Sequence, residues 1–418
     1  MLALDLRSLT QGHDRTGCEL ADIFRTHGRG YQMTHPLPAS HRKVMSAIVS
    51  CRTEYLGGRI ERCELCGFER MAYNSCRNRH CPKCQSMAKA RWLHARKEEL
   101  LPVGYFHAVF TLPHELNALV QCNKRKLYGL LFHAVSQTLA GFGSNPRNGL
   151  GGKLGFILVL HTWSQVLLDH YHLHCVIPAG ALSQDGSRFI ASRKRFLFPV
   201  RALSKVFRGK FIEMLEEAYL RGELIFPGST AYLGMHSGFR KLIVKLRSQR
   251  WVVYTKKPFA GPEAVLDYLG RYTHRVAISN HRILALYQGK VAFAYKDRTD
   301  MGTRKVMKLD AEEFIRRFLL HILPEGFMRI RSYGFLANRS KRRDLGRIRE
   351  ILVGYATGEH RRGEIPTPVL MFELTGIDIT RCPSCRKGTM RRIAEIPVGM
   401  ATGLFFHPLN RQVHQNSS

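Results

Sequence analysis

HYHLHCVIPAGAL (170–182), set beside KLGFILVLHTW (153–163), decides the fold. Both runs are apolar and rich in strand-forming residues, and only a short connection separates them, so they are expected to pair as antiparallel strands. On a strand alternate side chains share a face. His170, His172 and His174 then point one way, while Tyr171, Leu173 and Cys175 point into a core. Two imidazoles side by side on a strand make a preformed site for a divalent metal. A third ligand is expected from the neighbouring strand, where His161 is best placed, with Gln165 and His170 as rivals. A lone His-x-His is more often a surface pair. Three alternating histidines facing a fourth, in a basic chain, favour the metal.

Outward from this pair, YFHAVFTLP (105–113) reads as a strand closed by Pro113, and RWVVYTKK (250–257) as another. Residues 115–140 and 196–224 have helical character, with the Gly-rich loop GFGSNPRNGLGG (141–152) after the first. ILALYQGKVAFAYKD (283–297) suggests a hairpin. LDAEEFIRRFLLHIL (309–323) suggests a helix with Asp310 as N-cap. Residues 1–60 look helical with a break at Pro36 and Pro38, and a basic amphipathic helix is expected over 86–100. The expected class is α+β: a helical and zinc-binding domain (1–100), a domain built on an antiparallel sheet (101–282), and a basic C-terminal region (283–418).

The 418 residues carry 65 Lys and Arg against 32 Asp and Glu, a net charge of +33. A field of that size calls for a polyanion, with nucleic acid the first candidate and an anionic membrane surface the second. The cations run through the whole chain, which favours a groove that follows phosphates over a single basic arm. They are densest at 329–349, where eight Lys and Arg form either a DNA grip or a solvated face. The N-terminal stretch has no apolar segment of signal-peptide length, and FILVL (156–160) is far too short to span a bilayer. A cytoplasmic protein without membrane contact is expected, in which the eleven cysteines serve as metal ligands or buried thiols rather than disulfides.

Cys63-Glu-Leu-Cys66 and Cys81-Pro-Lys-Cys84 are two Cys-x-x-Cys turns fourteen residues apart. Structural zinc takes four thiolates in a closed tetrahedron, and two such turns facing each other supply them. Cys76 and His80 lie in the same stretch as candidates for an overlapping set, and Cys51 is a further candidate. Cys382-Pro-Ser-Cys385 is a pair without an evident second half and reads as free thiols. Tyr268 and Tyr272, four apart in AVLDYLGRYTHR (264–275), share a face if that stretch is helical, and Arg271 and Arg275 beside them form a second pair suited to a phosphate. A phenol is a poor nucleophile near neutral pH unless a metal draws charge from the phosphoryl group it attacks.

These elements together resemble the insertion sequence 91 family of rolling-circle transposases, within the two-tyrosine HUH (His-hydrophobic-His) nucleases. The resemblance rests on RCELCGFERMAYNSCRNRHCPKCQ, FTLPHEL, HLHCVIPAG, YLGRYTHRVAISN and EEFIRRFLLHILPEGFMRIRSYG, which together span most of the chain. It implies a DNA transposase with a sheet-based HUH nuclease core. His172 and His174 would bind Mg²⁺ or Mn²⁺, Tyr268 and Tyr272 would be the paired nucleophiles, and the Cys cluster would be the zinc domain. The third metal ligand is not carried by the resemblance, so His161 rests on the strand pairing. The implied reaction is single-strand cleavage and transfer in rolling-circle transposition through a 5′-phosphotyrosine. It needs no ATP, in keeping with the absence of a phosphate-binding GxxxxGK[ST] loop. Two other readings fit part of these features: a plasmid replication initiator or relaxase, and a zinc protein that binds nucleic acid without cutting it.

Overall fold

The computed structural model describes residues 17–192, 197–259, 264–265, 270, 276–297, 300–354 and 365–399. Two helices come first, α1 (Leu20–Thr34) and α2 (Ala39–Val49). A capping box between Glu19 and Asp22 starts α1, and Pro36 follows its end. Next are a hairpin, β1 (Gly58–Cys63) and β2 (Glu69–Tyr73), and the basic helix α3 (Pro82–Lys97). Strand β3 (Tyr105–Thr111) leads into α4 (Asn117–Cys122) and α5 (Lys124–Ser144). The pair β4 (Lys153–Trp163) and β5 (Asp169–Pro178) follows, then the short strands β6 (Gly180–Leu182) and β7 (Phe189–Ala191). Helices α6 (Val200–Leu220) and α7 (His236–Ser248) precede β8 (Val253–Phe259). A meander of β9 (Ile283–Tyr287), β10 (Lys290–Asp297) and β11 (Thr303–Asp310) leads into α8 (Ala311–Leu320). The described chain closes with β12 (Ile330–Gly334), α9 (Lys341–Val353), α10 (Thr367–Thr375) and β13 (Met390–Ile396).

The main sheet has the order β7-β6-β4-β5-β3-β8, with β12 also paired to β4. Its central pairs are antiparallel, as the sequence predicts. Burial follows the period of two. Phe106, Ala108 and Phe110 of β3, Phe156, Leu158 and Leu160 of β4, and Tyr171, Leu173, Cys175 and Ile177 of β5 enter one apolar core. That core is closed by Leu127, Leu131, Phe132 and Val135 of α5 and by Leu203, Phe207 and Phe211 of α6. The remaining side chains of the same strands, the histidines among them, are left on the opposite face. The class is α+β: an antiparallel sheet with helices, a small cysteine-rich domain before it and a basic region after it.

Residues 283–399 do not stay together. The β9–β11 sheet and α8 pack on α1 and α2, burying Phe24, Met45, Ile48, Phe293, Phe314 and Phe318 in a second core. Strand β12 joins the main sheet, and β13 pairs with β1. The physical reason is coverage: α1 and α2 carry an apolar face, and the Cys-, Arg- and Asn-rich stretch after them has too few apolar side chains to cover it. Asp310 does occupy the N-cap of α8, but its carboxylate pairs with Lys290 instead of the helix amides. Among the described residues, no helix is long and apolar enough to cross a membrane.

Candidate metal centres and nuclease site

The β4–β5 register places His161 directly opposite His172, with His174 two residues along on the same face. His161, His172 and His174 are buried, and each brings one ring nitrogen within 4.8 Å of the others. His172 Nε2 and His174 Nε2 are 3.1 Å apart. The far sides of two of the rings are held by hydrogen bonds. His172 Nδ1 lies 2.8 Å from the carbonyl oxygen of His170, which fixes the proton on Nδ1 and turns the Nε2 lone pair inward. His174 Nδ1 lies 3.1 Å from Nε2 of His107, a buried residue of β3 whose ring stacks on His174 at 5.3 Å. Burial, reinforced by Lys256, lowers the His107 imidazole to about 3, so it is neutral and able to accept that hydrogen bond. Trp163 stacks on His161 at 5.2 Å.

Of the rival third ligands, His170 touches the His172 ring at 4.6 Å but lies outside the trio. Gln165 sits in the turn after β4, where its carbonyl accepts from Arg282. His107 is the residue that sequence reasoning missed. On an apolar strand a single histidine looks like any core histidine, and only the β3–β5 register brings it to His174. Three converging imidazoles, two with lone pairs oriented by hydrogen bonds, suit a divalent first-row ion such as Mn²⁺.

Tyr268, Tyr272, Arg271 and Arg275 lie outside the described residues. Their described neighbours are informative. Val265 is buried in a cluster with Tyr105 and with Val176, which shares the face of His172 and His174, and Trp92 and Leu93 of α3 pack against that cluster. Gly270 lies so close to α3 that a Cβ there would be 2.9 Å from a Leu93 methyl.

The cysteines regroup. Cys63, Cys66, Cys81 and Cys84 do not face one another as a single set. Cys81 and Cys84 lie with Cys51 and Cys76, and Cys63 and Cys66 lie with Cys382 and Cys385. The closest sulfur pairs are 3.6 Å in the first quartet and 3.6–3.7 Å in the second. A zinc–sulfur length of ~2.3 Å implies tetrahedron edges of about 3.8 Å, so both quartets have the size zinc requires. The reason for the regrouping is that the turn after β1 is occupied from the C-terminal side by the 382–385 turn. The turn that starts α3 is rooted instead in the α1–α2 core through Cys51 and Cys81. Cys76 joins a quartet and His80 lies outside both.

Much of the basic stretch 329–349 is engaged within the molecule. Arg329 donates to Gln85, Arg331 lies over the Phe132 ring at 4.2 Å, and Lys341 pairs with Glu99. Arg339, Arg342, Arg343 and Arg347 are exposed and form what remains of a cationic surface.

Residues 23–112 match the family model described as "Transposase zinc-binding domain", and residues 155–344 match one described as "Putative transposase". The chain is 49% identical over 379 residues to "Putative transposase y4qJ" of Sinorhizobium fredii (strain NBRC 101917 / NGR234), covering 90% of this chain and 95% of that one. The chain belongs to the insertion sequence 91 family of transposases. This transposase is also 28% identical over 355 residues to the transposase for insertion sequence element IS801 of Pseudomonas savastanoi pv. phaseolicola, covering 82% of this chain and 81% of that one. No solved structure matches it. Its partner is DNA, and its zinc-binding domain and cysteine clusters support structural zinc. The matched transposase segment begins in β4 and contains His161, His172, His174, Tyr268 and Tyr272. The matched zinc segment contains Cys51, Cys63, Cys66, Cys76, Cys81 and Cys84, and ends long before Cys382.

Proposed function

We propose that this transposase is a metal-dependent HUH-type endonuclease and strand transferase that cuts single-stranded or extruded DNA at the element ends and works by rolling-circle transposition. The observation that carries the reading is the convergence of three buried imidazoles, two of them oriented by hydrogen bonds, on one face of the sheet. His161, His172 and His174 would hold Mg²⁺ or Mn²⁺, while Cys51, Cys76, Cys81 and Cys84 hold the zinc of the N-terminal domain. When bound, the divalent ion supplies Lewis-acid withdrawal of charge from a phosphate's non-bridging oxygens.

The rest is done by the chain's own groups. Arg271 and Arg275 grip the phosphate. The phenol oxygen of Tyr268 or Tyr272 attacks phosphorus, the bond to the 3′-oxygen breaks, and the phenol proton ends on that leaving oxygen. The products are a 5′-phosphotyrosine and a free 3′-hydroxyl that can prime synthesis. The second tyrosine takes the other strand end. The ester energy is retained in the phosphotyrosine, so rejoining needs no ATP. Packing of Val265 beside Val176 supports the approach of the tyrosine segment to the histidine face.

The test is to incubate the transposase and Mn²⁺ with a labelled single-stranded element end. The expected result is a covalent protein–DNA adduct that disappears in the Tyr268→Phe, Tyr272→Phe double variant and in His172→Ala. An adduct that persists without both tyrosines refutes the mechanism. DNA binding without any nicking would leave a non-catalytic zinc protein.

A further inference from the structure

The zinc-binding domain as the family defines it stops at residue 112, yet two of the four sulfurs around Cys63 come from the far end of the chain. We propose that Cys63, Cys66, Cys382 and Cys385 bind a second zinc ion, independent of the Cys51–Cys76–Cys81–Cys84 site, and that this ion clasps the C-terminal segment to the N-terminal domain.

The two halves of the site are similar turns, the second one residue longer. In the first, the Cys63 amide donates to Phe68 O and the Gly67 amide to Cys63 O. In the second, the Cys382 amide donates to Gly388 O and the Arg386 amide to Cys382 O. Gly67 has φ +73° and Arg386 has φ +58° at the equivalent position, so a bulky residue holds a left-handed conformation where the first turn uses glycine. Backbone amides also point at sulfur: those of Leu65 and Cys66 at Cys63 Sγ, and that of Gly388 at Cys385 Sγ. Such amides stabilise thiolates, the form in which cysteine binds zinc. Gly388 is a close approach: a Cβ there would sit 2.4 Å from Cys63 Sγ.

An independent argument comes from what else could hold this region. The β13-β1-β2 sheet has almost no interior. Met390 is the one buried side chain of β13, Glu61 and Cys63 are those of β1, and β2 has none. The associated apolar cluster consists of Cys63, Cys382, Met390 and the flanking Cys385. Three short strands without an apolar face do not hold together unaided in water. The surface pair Arg391–Glu64 adds little. Structural zinc contributes folding energy directly and replaces the missing core. The fastened segment is not idle chain. It contains α10, which meets α3 through the Arg91–Thr367 hydrogen bond, and α3 is the helix on which Val265 and Gly270 rest.

The experiment uses the full-length transposase and counts metal. Elemental analysis should give two zinc ions per chain for the wild type and one for Cys382→Ser, Cys385→Ser. In that variant limited trypsin digestion should free a C-terminal fragment, while circular dichroism stays close to wild type. Cadmium-113 resonance spectra of the exchanged wild-type protein give a readout that does not depend on the variant folding, and two signals in the four-thiolate range are expected. One zinc per chain in the wild type, iron in the second position, a single cadmium signal, or a folded double variant that keeps both ions overturns the proposal.

Discussion

His107 lies outside the three expected ligands and touches one of them, His174, so it should set how tightly the ion is held. With a metal on His174 Nε2, the proton of that ring sits on Nδ1 and is donated to His107 Nε2 across 3.1 Å. His107→Phe keeps a ring of similar size where the two imidazoles stack at 15° between planes, but removes the acceptor. The Nδ1–H of His174 is then left in a buried site without that partner. Losing an outer partner of this kind costs about 10–100-fold in metal affinity, or about 1.4–2.8 kcal/mol. His107→Gln can still offer an acceptor oxygen and should keep most of the affinity. The assay is calorimetric titration of Mn²⁺ into each variant on a Tyr268→Phe, Tyr272→Phe background, where no turnover intrudes, with thermal unfolding of the metal-free protein as control. Wild-type affinity in His107→Phe, or equal losses in His107→Phe and His107→Gln, would refute an orienting role.

Neighbours on β5 should fail differently. Leu173→Ala removes a fully buried side chain from the main core and is expected to cost about 2–5 kcal/mol in unfolding free energy, whereas His172→Ala should leave unfolding nearly unchanged and abolish Mn²⁺ binding. Gly334 has φ +61°, and a Cβ there would fall 1.5 Å from Leu154 O, so Gly334→Ala should lift β12 from β4 and speed amide exchange along that edge; unaltered exchange counts against the pairing. Lys124 directs its ammonium to Leu320 O, and burial lowers it from 10.5 to about 8. Between those values the unfolded chain holds more protons, so stability should rise as pH climbs from about 8 towards 10.5, with the penalty fully present below 8. Urea unfolding across that range should show the slope in the wild type and lose it in Lys124→Met.

The main sheet was legible because its signal is local. Alternation along 170–177 sorts core from site face, and the short 164–169 connection dictates antiparallel pairing, which in turn puts His161 across from His172. The cysteines were not legible for the opposite reason. Sequence spacing favours joining the two nearest Cys-x-x-Cys turns, but the true partner of Cys63 and Cys66 is more than 300 residues away, and chain closure over that distance leaves no periodic trace. The surplus cysteines, Cys51 and Cys76, were the available hint that one quartet was too few. In sequence the region after residue 283 reads as one basic unit, because charge is additive along a chain. Burial is not: Arg329, Arg331 and Lys341 spend their charge on contacts within the fold.

The distribution of rigidity in this molecule suggests how zinc bears on the chemistry. The histidines stand on strands backed by the main apolar core, so their spacing should survive loss of zinc. The tyrosine segment is held in a mixed way at its described positions. Val265 is buried against Tyr105 and Val176 of the sheet with Trp92 and Leu93 of α3 beside them, Gly270 lies against α3, and the first turn of α3 carries two cysteines of the first quartet, with Cys81 at the N-cap and Cys84 one turn in. A helix of this length transmits a displacement at one end to the other, since its backbone hydrogen bonds hold it as a rod. Removing zinc should therefore move the nucleophile before it disturbs the ligands. Titrating the transposase with a zinc-selective chelator, then restoring Mn²⁺, should lower phosphotyrosine adduct yield while Mn²⁺ affinity at the histidines remains near its starting value. If both fall together, the two metals share one cooperative unit, and α3 is not a separable link between them.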